Sequence, residues 1–457
     1  MSSPAGEGWL RLHPLTPLLR GGRFALVVLA VVGQQGLRNA SPKVVLAVLG
    51  VGVPTAVLFG WVSWRAMRYR VTDTELQVDS GVLTKRSRRV PLARVQTVDV
   101  VRPLFARFLG LAELRLEVVG GGGGPEAPLS YLGEDDAELL RTRLIDLVSG
   151  RTAGAAESGP EPEHVLVVVP VGPLVWSTIL GAPLVVAGGL LVVVAVTAVV
   201  DLSLVGGVLL GAVPLLIGVG SFAVRRVLAE YGFTVAESAD GLRLRHGLLE
   251  TRTQTIPAGR VQTIRITEPL LWRPFGWARV EVDIAGYGSG RGEEQAATGA
   301  LLPVAPRELA HRLVARVLRE DPPPVGDRPP PAARWRAPLS HRRLGIGLDA
   351  HHLVSTHGVL TTTTEVVPLA KVQSLRLTQG PLQRRLGLTS LHADTAGRRL
   401  PGTVAPHRGN GEATTLLADA TVRARAARNA ESRAQSSAQQ PSTVVDNSPD
   451  PAPAATG

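Results

Sequence analysis

Apolar residues in this chain follow two regimes: long uncharged runs, and stretches in which apolar and polar positions change every second residue. Val165–Val200 carries no charge, Leu202–Val224 carries none either, and only Asp201 separates them. A bilayer core takes about 20 apolar residues per helix, so the segment predicts a helical hairpin turning near Asp201. Val44–Trp64 predicts a further span. Phe24–Gly33 predicts the helix before it, completed by Leu15–Leu19 with Arg20 and Arg23 near the interface. A signal peptide would also place basic residues before a short apolar core, but here a second span follows at once. The expectation is four transmembrane helices in two hairpins, 24–64 and 165–224.

Basic residues beside the spans set the orientation. Arg11, Arg20, Arg23, Arg65, Arg68, Arg70, Arg225 and Arg226 fall on one side, against Arg38 and Lys43 on the other. That asymmetry predicts a multi-pass cell-membrane protein with its folded parts in the cytoplasm.

The second regime is a repeat. Gly81–Gly110, Gly247–Gly276 and Gly358–Gly387 align without gaps, and seven columns are identical. These are Gly81/Gly247/Gly358, Leu83/Leu249/Leu360, Pro91/Pro257/Pro368, Val95/Val261/Val372, Gln96/Gln262/Gln373, Arg107/Arg273/Arg384 and Gly110/Gly276/Gly387. After each core, Ile264 and Ile266, Val98 and Val100, or Leu375 and Leu377 alternate with polar residues, which predicts a strand with one buried face. The shared Gln is in register with that face, so its amide is expected to bond to backbone at the barrel end. The Pro suits the first position of a strand or the turn before it. Glu134–Val148, Pro306–Leu318 and Ala413–Ala430 each put apolar residues on one helical face. Strands closed by one terminal helix make three small α+β barrels.

Composition narrows the chemistry. The 457 residues include no cysteine, which excludes disulfides, thiol nucleophiles and thiolate metal sites. A net charge of +11 favours an anionic neighbour, and the apolar spans make that neighbour a membrane surface and not nucleic acid. Gly120–Gly124 lacks the Lys-Ser/Thr of a phosphate loop and opens no helix. His351 and His352 are adjacent on a strand and point to opposite faces, so no metal is expected, and no cofactor. No catalytic constellation assembles, and no acid sits within a span, where a proton-coupled carrier needs one.

Three units with a Pro-x-x-Arg/Lys-Val-Gln-Thr/Ser core, alternating with two hairpins, resemble the bacterial pleckstrin-homology (PH)-like proteins of the second bacterial type, in their long membrane form. The resemblance covers about Arg65 to Ala430. It implies seven-stranded bent barrels each closed by a C-terminal helix, a non-enzymatic membrane role, and a shorter PH-like membrane protein as partner. It also permits a role in envelope stress or antimicrobial-peptide resistance. The domains expected are an N-terminal cytoplasmic segment (1–23), hairpin 1 (24–64), module 1 (65–149), a linker (150–164), hairpin 2 (165–224) and module 2 (225–320). A stiff Pro-rich spacer (321–334), module 3 (335–430) and a disordered tail (431–457) complete them. In module 3 the closing helix is set off by Arg398–Gly411.

Candidate contacts for anionic lipid or a partner are the basic run Lys85, Arg86, Arg88 and Arg89 and the column Arg107, Arg273 and Arg384, while Gln96, Gln262 and Gln373 are structural. A scaffold that binds proteins at the inner leaflet is the function expected. The alternative is a subunit of a transport or export complex for a lipid or small peptide, with Gln34, Gln35, Ser177 and Thr178 as its polar groups.

Overall fold

Period-two patterning yields the same succession of strands three times over. The computed structural model describes residues 64–72, 74–81, 85–92, 95–118, 129–149, 164–238, 241–257, 259–284, 299–397, 400 and 402–439, with isolated positions between 9 and 62. In module 1, β1 (Leu10–Arg11), β2 (Arg68–Val71), β3 (Glu75–Ser80) and β4 (Arg86–Pro91) form one antiparallel sheet. β5 (Val95–Pro103), the short helix α1 (Leu104–Phe108), β6 (Leu111–Val118) and β7 (Leu129–Gly133) follow, and α2 (Glu134–Ser149) closes the unit. Leu76, Val98, Val100, Leu114 and Leu116 from the two sheets meet Leu140 and Leu144 of α2 in one core.

Module 2 repeats the plan with a large insertion. β8 (His164–Val168) is followed by α3 (Val171–Ile179), α4 (Ala182–Val200) and α5 (Val205–Glu230). Then come β9 (Thr234–Ser238), β10 (Gly241–His246), β11 (Glu250–Pro257), β12 (Val261–Pro269), β13 (Trp277–Ile284), β14 (Ala300–Pro306) and α6 (Arg307–Leu318). β8 pairs with β9 across the whole helical segment, as β1 pairs with β2 across residues 12–67. The hairpins are thus inserted between the first and second strands of a barrel, and do not precede it.

This corrects the expected start of hairpin 2. Val165–Val168 is strand, because a short run of β-branched residues reads alike in a strand and in a span. α3 then buries Leu174, Ser177 and Thr178 against module 2. Among the described helices of hairpin 2, α4, 19 residues with none buried, and α5 present exposed apolar sides along most of their length. At roughly 1.5 Å per residue α4 is about 28 Å long, enough for a hydrocarbon core. Among the described residues two helical runs, Val171–Val200 and Leu202–Glu230, are long and apolar enough to cross a membrane, where four were expected. Most of hairpin 1 lies outside the described residues, though the described positions Gly50, Pro54, Thr55, Leu58, Trp61, Val62 and Trp64 are helical.

Module 3 comprises β15 (Gly345–Leu348), β16 (His352–His357), β17 (Thr361–Pro368), β18 (Val372–Thr378), α7 (Pro381–Arg385), β19 (Leu388–Thr395), β20 (Thr403–Gly409) and α8 (Asn410–Gln439). β20 lies within the stretch expected to set the closing helix apart. The Pro-rich segment is not a free spacer. Asp327 bridges Ile346 in the place of a first strand, with bonds of 3.1 and 3.0 Å, and Arg408 Nη2 donates to Asp327 O at 2.7 Å. A Cβ on Gly345 or Gly347 would collide with Val325 and Pro324, so the two glycines let the segment lie flat on β15. The first residues of the expected tail, 431–439, are helical. α8 runs on to Gln439 through an Ala- and Arg-rich sequence of good helix formers, held by the Lys371–Glu431 ion pair and by Arg428 Nη1 donating to Val372 O at 2.8 Å. Residues 440–457 lie outside the described residues.

The modules are joined through their strands. β5 pairs with β11, giving the sheet β7-β6-β5-β11-β10-β9-β8, and β12 pairs with β17, giving β14-β13-β12-β17-β16-β15. Pro103 faces Glu250 in the first joint and Pro269 faces Thr361 in the second. These are equivalent positions of the repeat, so both joints share one register.

The invariant columns now have physical reasons. The Gln marks a break in the ladder in all three modules, between Val95 and Thr97, Val261 and Thr263, and Val372 and Ser374. A bulge there bends the strand from one sheet toward the next. Gln262 is buried and Nε2 donates to Arg260 O at 3.3 Å. Gln373 is exposed, on the end strand of its sheet, and the side chain of Gln96 is outside the described residues. Gly81, Gly247 and Gly358 share φ values of 105°, 105° and 101°, a region that L side chains rarely adopt. The Pro ends strands β4, β11 and β17 and does not begin them, since each chain turns there into the bulged strand.

His246 makes the fold sensitive to acid. It is 3% exposed, stacks on Phe233 at 5.1 Å, and its Nδ1 lies 2.8 Å from Ala229 O. Burial holds its pKa below the ordinary 6.5 by penalising the imidazolium. Above that value both folded and unfolded chains carry neutral imidazole and stability is unaffected. Below it the unfolded chain takes up the proton first, so stability falls with falling pH, by at most about 1.4 kcal/mol per pH unit. Thermal unfolding of the full chain between pH 7.5 and 5 should show this decline, and His246→Gln should flatten it.

Candidate functional site: the hairpin end of the array

Both limbs of the second hairpin leave module 2 from the same end. β8 ends at Val168 before α3, and β9 begins at Thr234 after α5. Antiparallel pairing brings two further connections to this end: the β10–β11 turn, Gly247–Leu249, and the 3-10 turn Leu270–Phe275 after β12. Leu248 N donates to Leu228 O at 2.9 Å and Gly247 N to Tyr231 O at 2.8 Å. Trp272 Nε1 donates to Ser177 O at 3.1 Å. Glu230, the last residue of α5, is 2% exposed and accepts from Arg279 Nη1 at 2.8 Å and Arg226 Nε at 3.3 Å. The helices are therefore clamped to the barrel by hydrogen bonds and a buried ion pair.

This end of the array is apolar on its outside. Phe105 and Phe108 on α1, then Leu270, Leu271 and Phe275, are exposed. In module 3 the connection from Asp327 to β15 occupies the place of a hairpin, and carries Trp335 at 81% and Leu339 at 79% exposure. The invariant Leu column also projects here, with Leu249 and Leu360 exposed. An exposed apolar band of this kind marks an interaction surface, and aromatic residues favour the headgroup depth of a bilayer. No periodicity in the sequence marks these residues; the invariance of a leucine in a turn is the available clue.

The arginine column does one job in both joints. Arg107 Nη1 reaches Thr251 Oγ1 at 3.3 Å, and Arg273 Nη2 reaches Thr362 Oγ1 at 2.7 Å and Val359 O at 3.0 Å. Thr251 and Thr362 are equivalent positions of the repeat, each in the module that follows. Arg384 is exposed beside β18, the end strand of its sheet. Burial, and then the nearness of Arg343, hold the Arg273 pKa below the ordinary arginine value. Lys85, just before β4, and Arg88 and Arg89 on β4, the end strand of its sheet, are exposed, and the side chain of Arg86 is outside the described residues. The structure thus brings Arg107 and Arg273 to joints and leaves the basic run and Arg384 at the two ends of the array. Ser177 and Thr178 both donate to Leu174 O, at 2.8 and 2.9 Å, which occupies their hydroxyls within α3. His351 is exposed and pairs with Glu320, whereas His352 is buried.

The family model for the bacterial PH domain matches residues 24–148, 178–321 and 330–438. The chain belongs to the bacterial PH domain family. The first two matched stretches begin after β1 and β8, in the segments of the two hairpins, and each of the three stretches runs through β-strands into a closing helix. Among the curated relatives is the transmembrane protein YdbT of Bacillus subtilis (strain 168), 24% identical over 292 residues, which cover 57% of this chain and 59% of YdbT. The chain thus spans somewhat over half the length of that relative. No solved structure matches the chain. A transmembrane relative and two apolar helices make this a membrane protein with three bacterial PH domains. Family and relative alike point to a non-catalytic role.

Proposed function

We propose that this bacterial PH protein is a non-enzymatic, multi-pass scaffold of the cell membrane. Its three modules lie on the cytoplasmic side, against the anionic inner leaflet, and it recruits a shorter PH-like membrane protein. The observation that carries this reading is the open edge of β18. Its equivalents β5 and β12 are each paired by a strand of the next module in one register, with an invariant Arg crossing the joint. β18 keeps the strand pattern and Arg384, and no strand pairs with its outer edge among the described residues. Ser374 and Arg376 are exposed where their module 2 equivalents Thr263 and Arg265 are buried and half-buried.

A second copy of this chain is a poor occupant. In the shared register β4 would set Arg88 against Arg376 and Lys85 where Arg384 needs a hydroxyl, and like charges directly opposed are destabilising. The complement is a β4-type strand with Thr, Ser or an acid at those positions, on a separate chain. β-strand addition gives affinity through main-chain bonds and specificity through such side chains.

Arg384→Glu is expected to weaken capture of a PH-like membrane protein about tenfold or more, as judged by losing a charge-assisted bond and adding repulsion. The measurement is co-purification from membranes with a photo-crosslinker at Arg376. Crosslinks only to further copies of this chain, or capture unchanged in Arg384→Glu, would contradict the reading.

A further inference from the structure

We propose that the cleft between modules 2 and 3 holds the phosphate of an anionic phospholipid headgroup. The cleft has a volume of about 450 Å³, and Arg273, Arg307, Arg328, Arg342 and Arg343 line it against one carboxylate, Glu268. Arg307 already engages Glu268. Two guanidiniums converge on the same neutral acceptors. Arg273 Nη2 and Arg343 Nη1 donate to Val359 O at 3.0 and 2.7 Å, and reach Thr362 Oγ1 at 2.7 and 3.4 Å. Nη1 of Arg273 is buried with no hydrogen-bond partner among the described residues.

Cations gathered around an orphaned donor are unfavourable unless an anion joins them. The lowered proton affinity of Arg273, due to burial and then to Arg343, reflects the same crowding. A phosphate offers oxygens that match arginine forks. The joint between modules 1 and 2 lacks this arrangement, because Gly232 stands at the position equivalent to Arg343.

The position of the cleft selects lipid over soluble phosphate. Leu270 N donates to Leu360 O across the joint at 2.6 Å, and both leucine side chains are exposed beside the arginines. Trp335 and Leu339 lie a few residues before Arg342 in the same connection. Apolar groups at acyl depth with arginines just behind them place the phosphate between the two. The site rests on the scaffold reading only in setting the modules against an anionic leaflet, and needs no partner protein.

The test uses the full chain in nanodiscs, with phosphatidylglycerol or phosphatidylcholine as the titrated lipid and inorganic phosphate as competitor, read by native mass spectrometry. The wild-type chain should retain phosphatidylglycerol about tenfold or more over phosphatidylcholine. Arg342→Gln/Arg343→Gln should lose that preference, and Arg328→Gln, in a loop outside the strands, should weaken it without affecting folding. Arg425→Gln/Arg433→Gln, which removes the same charge from α8, should keep it. Equal retention of the two lipids, equal loss in the α8 variant, or displacement by phosphate at lipid-equivalent concentration would each overturn the site. Partner capture through β18, measured on the same variants, should be unchanged, so loss of capture alone strikes the scaffold and not this cleft.

Discussion

Trp272→Ala is expected to destabilise the full chain by about 3–5 kcal/mol, the range for removing a large buried aromatic. Trp272 is 2% exposed and is among the largest fully buried side chains. It sits in the 3-10 turn after β12, and its indole N–H is the donor to Ser177 O of α3. Deleting the ring opens a cavity in the module 2 core and leaves a buried carbonyl of α3 unpaired. Trp272→Phe keeps most of the volume and should cost about 1 kcal/mol beyond its packing change. Hydrogen exchange over Leu174–Thr178 should quicken more in the Ala variant than over β9 or β10. A loss under 1 kcal/mol would mean that α3 belongs with the bilayer helices and is not docked on the barrel.

Glu365→Lys should open the joint between modules 2 and 3. Glu365 is 3% exposed and lies opposite Arg265 in the β17·β12 ladder, with Arg265 Nη2 to Glu365 Oε1 at 2.7 Å. Breaking a buried pair costs about 3–5 kcal/mol. Arg265 keeps partial solvent access, so about 3 kcal/mol is expected, with the added repulsion of two cations. Limited proteolysis should then release module 3 near residues 319–330 while module 2 stays protected. Arg265→Glu added to Glu365→Lys should restore part of the protection. Unchanged proteolysis in the single variant would show that the sheet does not run through the joint.

Much of this fold is legible in the residues themselves. Three copies of one thirty-residue pattern give three modules, and alternation at Ile264 and Ile266 correctly gives a buried strand face. What escapes the sequence is pairing between modules, because a strand covered by a neighbouring barrel and a strand open to solvent share the same internal alternation. Thr263 is polar and wholly buried only because module 3 lies over it. Val165–Val168 was ambiguous for a different reason, since four apolar β-branched or leucine residues suit a strand and a span equally. The arginine column was visible as a column, but its acceptors Thr251 and Thr362 are 144 and 89 residues away. Arg342 and Arg343 carry no signal at all before the fold brings them to Arg273.

Cysteine pairs across the joints give the most direct check on an edge-joined array, because the natural chain has no cysteine to compete. Thr267 lies opposite Thr363, and Val101 opposite Arg252. Directly opposed residues in antiparallel strands have Cα atoms about 4.5–5.5 Å apart, within reach of a disulfide. Thr267→Cys/Thr363→Cys and Val101→Cys/Arg252→Cys should each oxidise to an intramolecular bond in native membranes, while Thr267→Cys/Val367→Cys, out of register, should not. Efficient closure of the out-of-register pair, or none at either opposed pair, would contradict one sheet passing from module to module.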